Sequence, residues 1–507
     1  MTNANDARSK AGSSLARRVF LRHVASAAGA APFAPAVIGA ATAPAGTASA
    51  QTAPARHDET HHETERLAAF AAGLRYEELP PAVVQRAKDC ISDTVAAIIY
   101  GAELPWSKMI IAQARRTSAA GRSSILGTDG GPVQPTAAAF ANGAMTHAFE
   151  LDNLTKPDSG SHPGATVFTA ALAVAQERGL SGRDLLTAFV AGTESMIRIG
   201  HATKHTNEAR GFHAPGTTGP FGAAAAAGRL MGFDAARMTN ALGVAGSCAG
   251  GLLEFAHAGN GAMVKRLHMG RAAEGGVLAA SLAADGFTGP TSVLEGDYGF
   301  LRVFCNDWDV AELTRGLRTD FFTLDIMLKR YACHITAHNP VEATLELRNE
   351  HKFTAADVSA ITIAGNERMA KTNNIPAPGD MMLAQYSIPF SVALALYRDP
   401  VDPRSFDETA VRDPAILDLA ARTKMVVTPG QDRRDLVAMV TIKLKDGREV
   451  SRKVTSFKGT PERPLVRQEL QEKFVLLTQR LGRERMAPLF GRLQAIEEEK
   501  TLDWLNV

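Results

Sequence analysis

Three glycine- and proline-rich stretches of this chain concentrate the side chains that move protons and hold anions. The first reads His147-Ala148-Phe149-Glu150-Leu151-Asp152-Asn153 and is followed by Ser161-His162-Pro163-Gly164. The second is Gly211-Phe212-His213-Ala214-Pro215-Gly216. The third is His257-Ala258-Gly259-Asn260-Gly261, which runs into Lys265-Arg266-Leu267-His268. An imidazole titrates near neutrality and can act as acid or base. His162 and His213 each stand just before a Pro or Ala-Pro that opens a helix, so ring and free backbone amides can face one anion together. Lys265 can neutralise a carboxylate, though a helix lysine is ordinarily solvated. Asp152 can serve the chemistry or cap a turn. His268 lies one turn beyond Lys265 on the same helix face and reads as a residue that orients it.

The elements that must position these groups are mostly helical. Residues 82–100 place apolar side chains at three- and four-residue spacings behind Pro80-Pro81, which predicts a helix with a wide buried face. Helices are also expected over 165–177, 182–200 (with Ser181 as cap), 221–231, 236–249 and 262–284. Aromatics are only 6% while Ala and Gly abound, a composition that lets helix backbones approach closely. Near residue 335 the character changes. Residues 358–365 alternate and are β-branched, as a strand requires, and Lys445-Asp446-Gly447-Arg448 predicts a hairpin between 436–444 and 449–456. Helical runs are expected between them, over 384–397 and 410–423, and again over 467–481. The fold class expected is mainly α: a large all-helical domain over 64–334, an inserted smaller α+β lid domain over 335–456, and a return to the helical domain over 457–507. A cleft between such parts is a common address for a small-molecule site.

The net charge of +2 does not point to nucleic acid or a membrane surface, so a small anion would need positive charge focused in a cleft. Residues 1–50 carry Arg17-Arg18 in a near twin-arginine context, a mildly apolar stretch broken by Pro32, Pro35 and Gly39, and Ala48-Ser49-Ala50. They read as a twin-arginine signal peptide with cleavage near Ala50, followed by a linker over 51–63, which predicts a periplasmic protein without stable membrane association. Cys90, Cys248, Cys305 and Cys333 lack metal-ligand spacing, and no zinc is expected; their pairing stays open.

Read in order, these segments resemble the MmgE/PrpD family, which includes 2-methylcitrate dehydratase, cis-aconitate decarboxylase and iminodisuccinate epimerase. The matching text is His147 to Asp152, His162-Pro163-Gly164, Gly211-Phe212-His213, the Lys265 to Gly270 stretch and Asp285-Gly286-Phe287-Thr288-Gly289-Pro290. Further matches are Lys329-Arg330-Tyr331, Cys333-His334, His338 and Gln385-Tyr386-Ser387-Ile388-Pro389-Phe390. The resemblance spans roughly residues 65–480. It implies a homodimer, no metal, no organic cofactor, and a cleft lined by Asp152, His162, His213, Lys265 and His338. His162, Lys265, Asp152 and His213 are the expected catalytic set; His338, Lys329, Arg330, His268 and Tyr331 are the expected substrate-binding set.

The chain departs from typical members in reading Leu151-Asp152-Asn153-Leu154 where they read Leu-Asp-Asp-Thr. It also carries Phe390 where dehydratases and decarboxylases tend to have Tyr. The leading expectation is a cofactor-independent hydro-lyase acting on a small di- or tricarboxylate, like 2-methylcitrate dehydratase. A dicarboxylate epimerase or isomerase, a cis-aconitate-type decarboxylase, and an exported carboxylate-binding protein without turnover stand as alternatives.

Overall fold

The computed structural model describes residues 62–155, 159–256 and 262–507; the signal-peptide reading of residues 1–50 and all but the last two residues of the linker expected over 51–63 fall outside them, and Glu63 already opens a helix. The described residues form one compact unit. Its centre is a set of packed helices: Pro135–Thr146, Gly182–Ala202, Ala214–Leu230 and Val264–Ala284, with Glu63–Gly73, Pro81–Gly101 and Ala235–Ala245 around them. The helix Val264–Ala284 lies against both Ala214–Leu230 and Pro135–Thr146. The close approach has a compositional cause: a Cβ at Gly270 would collide with the Phe140 carbonyl, and one at Gly276 with Ala223. Methyl-sized side chains thus set the interhelical spacing, and dense contact replaces bulky aromatics.

The one sheet among the described residues has the order Thr423–Val427, Val358–Gly365, Ala438–Leu444, Glu449–Val454. The hairpin predicted at Asp446-Gly447 is present and antiparallel, and the strand over Val358–Gly365 has the bounds read from its pattern. Two helical expectations need correction. The run 384–397 is two helices, Met381–Tyr386 and Ile388–Tyr397, because Ser387 turns the chain and its hydroxyl accepts from the Phe390 amide. The run 410–423 is two short helices, Glu408–Val411 and Pro414–Ala421. Residues Thr423–Val427 then leave the helix to pair in parallel with Val358–Gly365.

The helix Ile335–His351 packs on the hairpin strands and on Ile388–Tyr397, while Arg467–Thr478 packs on Pro81–Gly101. The chain therefore crosses from helical part to sheet and back. All four cysteines are free; Cys90, Cys305 and Cys333 are buried. Among the described residues no single helix is long and apolar enough to cross a membrane.

Candidate active site

Between the helical part and the sheet-bearing part lies a cavity of about 500 Å³. It is built from segments far apart in sequence, and a chain of alternating charges runs along its floor and behind it. Glu150 follows the end of the helix Pro135–Thr146 with φ of 54°, a left-handed conformation that costs a residue with a Cβ about 1–3 kcal/mol. What holds it there is visible. One carboxylate oxygen accepts from Lys265 Nζ and the other from Lys329 Nζ at 2.8 Å. Lys329 Nζ also lies 3.6 Å from Asp152. Asp152 Oδ2 in turn accepts from His147 Nδ1 at 2.9 Å and His162 Nδ1 at 2.7 Å.

Two buried lysines thus alternate with two buried carboxylates. The ionisation of each follows from its neighbours. Burial disfavours the Glu150 anion, but Lys265 and Lys329 outweigh that and hold it well below the carboxylate range. Asp152 is likewise held low against burial by the two imidazoles and Lys329. For Lys265, burial wins over the pull of Glu150 and brings the ammonium down to about 8. For Lys329, burial is outweighed by Glu150 and Asp152 acting together, and it lies above the usual lysine value. Lys265 also sits over the Tyr386 ring, 4.5 Å from its centroid, a contact that favours its charged form. Burial, first among several causes, pushes the Tyr386 hydroxyl well above its ordinary value, so it keeps its proton.

The cavity walls carry imidazoles. His213 closes the segment before the helix Ala214–Leu230, its amide donating to the Gly251 carbonyl at 2.9 Å, and its Nδ1 meets His268 Nδ1 at 3.0 Å. His334 precedes Ile335–His351, stacks on Tyr386 at 4.7 Å, and shares a hydrogen bond with the Thr336 hydroxyl at 2.8 Å. Burial takes both rings well below the histidine range, with Lys265 adding to the effect at His213 and Arg368 at His334. Both are neutral at pH 7. Arg368, from the helix Glu367–Lys371, reaches the cavity from the sheet-bearing side, 3.8 Å from Glu208.

Of the residues expected from sequence, His162, His213, Lys265 and Lys329 line this cavity together. Asp152 does not line it but stands directly behind, gripping His162. His268 stands behind His213 and opens onto a different pocket. Arg330 and Tyr331 line a separate surface pocket, where the Tyr331 hydroxyl donates to Glu342 at 2.5 Å. His338 is buried between Tyr331 and Phe457, away from the cavity lining. The structure does not bring these last three to the site. Side chains given no role from the sequence also line it: Glu150, His334 and Tyr386, which stand in the quoted motifs, and Arg368, His205 and Glu208, which do not.

His147, Asp152 and His162 place ligand-type atoms within 4.8 Å of one another, near enough to converge on one ion. The two separations to Asp152 are those of hydrogen bonds, shorter than the roughly 3.4 Å between two ligands of a tetrahedral zinc. Lys329 beside the same carboxylate further disfavours a cation there.

Asn153 explains one departure noted in the sequence. Its amide nitrogen donates to the Cys90 carbonyl at 3.2 Å and to Thr94 at 2.9 Å, with Asp93 at 3.3 Å, while its oxygen accepts from the Gly164 amide at 3.0 Å. It ties the Glu150–Asp152 segment to the helix Pro81–Gly101 and to the turn after His162. A carboxylate at 153 could not donate. Phe390, the other departure, is fully buried against Phe406 and does not line the cavity.

Comparison with known proteins agrees with this geometry. Residues 65–313 match the MmgE/PrpD N-terminal domain and residues 331–489 the MmgE/PrpD C-terminal domain. Among similar proteins are cis-aconitate decarboxylases. The one from Homo sapiens is 28% identical over 425 residues, covering 81% of this chain and 86% of its own. One from Aspergillus terreus is 30% identical over 446 residues, covering 81% and 88%. That of Mus musculus is 26% identical over 427 residues, covering 81% and 86%. With both domains matched in order and the motif-bearing segments meeting at one cavity, this chain belongs to the MmgE/PrpD family.

Proposed function

We propose that this protein is a lyase that acts on a small di- or tricarboxylic acid by proton chemistry alone, and that decarboxylation of a cis-aconitate-type acid is its reaction. The observation that carries the reading is the Lys265–Glu150–Lys329 array, backed by Asp152, facing a cavity walled by His162, His213 and His334. Loss of carbon dioxide breaks a carbon–carbon bond and leaves its electron pair on the substrate, where a proton must be delivered. Lys265, with its ammonium brought down to about 8, is a cation that can also give up its proton. Arg368 and Lys329 supply fixed positive charge for the remaining carboxylates, and buried charge of that kind is the strongest means of stabilising a developing anion. His162, oriented through Asp152, is the second acid–base group. The similarity to cis-aconitate decarboxylases supports this order of preference.

Neutral His213 and His334 are equally suited to accept a proton from carbon, which keeps dehydration of a citrate-like acid as the second reading. Incubating the protein with cis-aconitate, citrate, 2-methylcitrate and dicarboxylates in deuterated water, followed by NMR, tests all of these. Decarboxylation gives a five-carbon alkene dicarboxylate carrying one solvent deuteron. Dehydration gives a new alkene without loss of carbon, and epimerisation gives deuterium uptake alone. Shifts from binding without conversion would leave only a carboxylate-binding protein. Export to the periplasm and a homodimer belong to the same proposal. Replacing Arg17-Arg18 by Lys-Lys should retain the precursor inside the cell, and sedimentation of the mature chain as a monomer would remove the dimer.

A further inference from the structure

We propose that His268 and His213 form a two-imidazole relay that feeds protons into the cavity from a second pocket behind it. The relay's use in turnover rests on the decarboxylase reading, because each carboxylate lost as carbon dioxide takes up one proton from water. A route from the far side would let that proton be replaced without passing the substrate's own entrance.

The geometry supplies one. His213 faces the cavity, while His268, half-buried on Val264–Ala284, faces a pocket of about 480 Å³ on the far side. Their Nδ1 atoms are 3.0 Å apart, so one carries the bridging hydrogen and the other accepts it. Each ring then has its Nε2 directed away from the bridge. Phe255 packs edge-on against both rings, at 5.1 and 5.8 Å, and shields the bridge. The pair has its own seat in the backbone. The Gly251 carbonyl anchors the His213 amide, and a Cβ at Gly251 would press within 3.1 Å of the His268 ring.

What distinguishes this pair from His147 and His162 is freedom of tautomer. His147 and His162 each have Nδ1 fixed on Asp152. Among the described residues, no second hydrogen bond holds either Nε2 of the His213–His268 pair. Two arrangements therefore both satisfy the bridge. In the loaded one, His213 carries its hydrogen on Nε2 and His268 on Nδ1. A proton arriving at His268 Nε2 lets the bridging hydrogen pass to His213 Nδ1, and the His213 Nε2 hydrogen leaves into the cavity. One proton enters and one departs; after product has left, His213 Nε2 takes a proton from cavity water, the bridging hydrogen returns to His268 Nδ1 and His268 Nε2 releases its own, which restores the first arrangement. The charged and titratable groups facing the pair are Lys265, His147 and Glu208 on the inner side, and Glu254, Arg271 and Cys248 on the outer side.

Two measurements test this. In protein labelled with ¹⁵N-histidine and free of substrate, the nitrogens of both rings should show exchange between protonated and bare states, moving together. In His268→Asn, whose amide can partner His213 Nδ1 but cannot pass a proton on, proton exchange at the His213 nitrogens should slow. In turnover, His268→Asn should lower kcat by about 10-fold or more with KM little changed. His268→Ala should be restored in part by added imidazole, which the outer pocket has room to admit. Rings locked in fixed tautomers in the wild type, or wild-type kcat in His268→Asn, would overturn the relay. If the tautomers exchange but no acid on the panel is converted, the relay stands and the decarboxylase reading falls.

Discussion

The site turns on a lysine whose charge is only just kept. Lys265 is brought down to about 8 by burial, while Glu150 limits the fall. Its ammonium is the working form in the proposed reaction, so the fraction available is full well below pH 8 and is lost as pH rises through that value. The expected profile of kcat has a descending limb near pH 8 that vanishes in Lys265→Arg. A limb unaltered by that substitution would assign the titration elsewhere. Lys265→Met should lower kcat by about 10²-fold or more. Lys265, His162 and His213 were legible in sequence because each sits in a short polar island among glycines and prolines. Glu150 stood in the same island and was passed over, since its role depends on a left-handed backbone and on Lys329, 179 residues away. Arg368 carried no local signal at all; only the fold swings its helix to the cavity. His338 misled in the other direction, because a histidine in a family motif can be a packed one.

At the scale of elements, the polar islands are useful only because Asn153 pins them together. It joins the end of one segment, the middle of Pro81–Gly101 and the turn after His162 through one side chain that both donates and accepts. Asn153→Asp should cost about 1–3 kcal/mol through the lost donor, and more through a second carboxylate beside Asp93. Thermal melting at pH 7 reads this directly; an unchanged midpoint would show that Asn153 is not structurally required. Long helices such as Pro81–Gly101 were readable from periodicity, as was the Asp-Gly hairpin. The break at Ser387 and the strand Thr423–Val427 were not. Apolar residues flank both places, and it is a hydroxyl cap in one case and a parallel neighbour in the other that decides the backbone.

Across the whole molecule, the two halves of the charge array depend on a side chain from near the far end of the chain. Lys473, buried on Arg467–Thr478, donates to Asp93 at 2.5 Å, to the Leu151 carbonyl at 3.2 Å and to the Lys329 carbonyl at 2.6 Å. It fastens the segment bearing Glu150 and Asp152 to the one bearing Lys329. Lys473→Met leaves Asp93 buried without its cation, a loss worth about 3–5 kcal/mol, and should lower both melting temperature and turnover. Partial recovery of melting but not of turnover in Asp93→Asn/Lys473→Met would separate the fastening from the buried charge; full turnover in Lys473→Met would show that the cavity does not need it.

The position of that lysine also sets a time. A chain emerging from the ribosome has presented every group that lines the cavity once Arg433 is out, yet it still lacks the amine that draws Leu151 and Lys329 together. The helix that carries Lys473 must dock before those two segments are fastened, so copies cut ahead of it are expected to lack turnover.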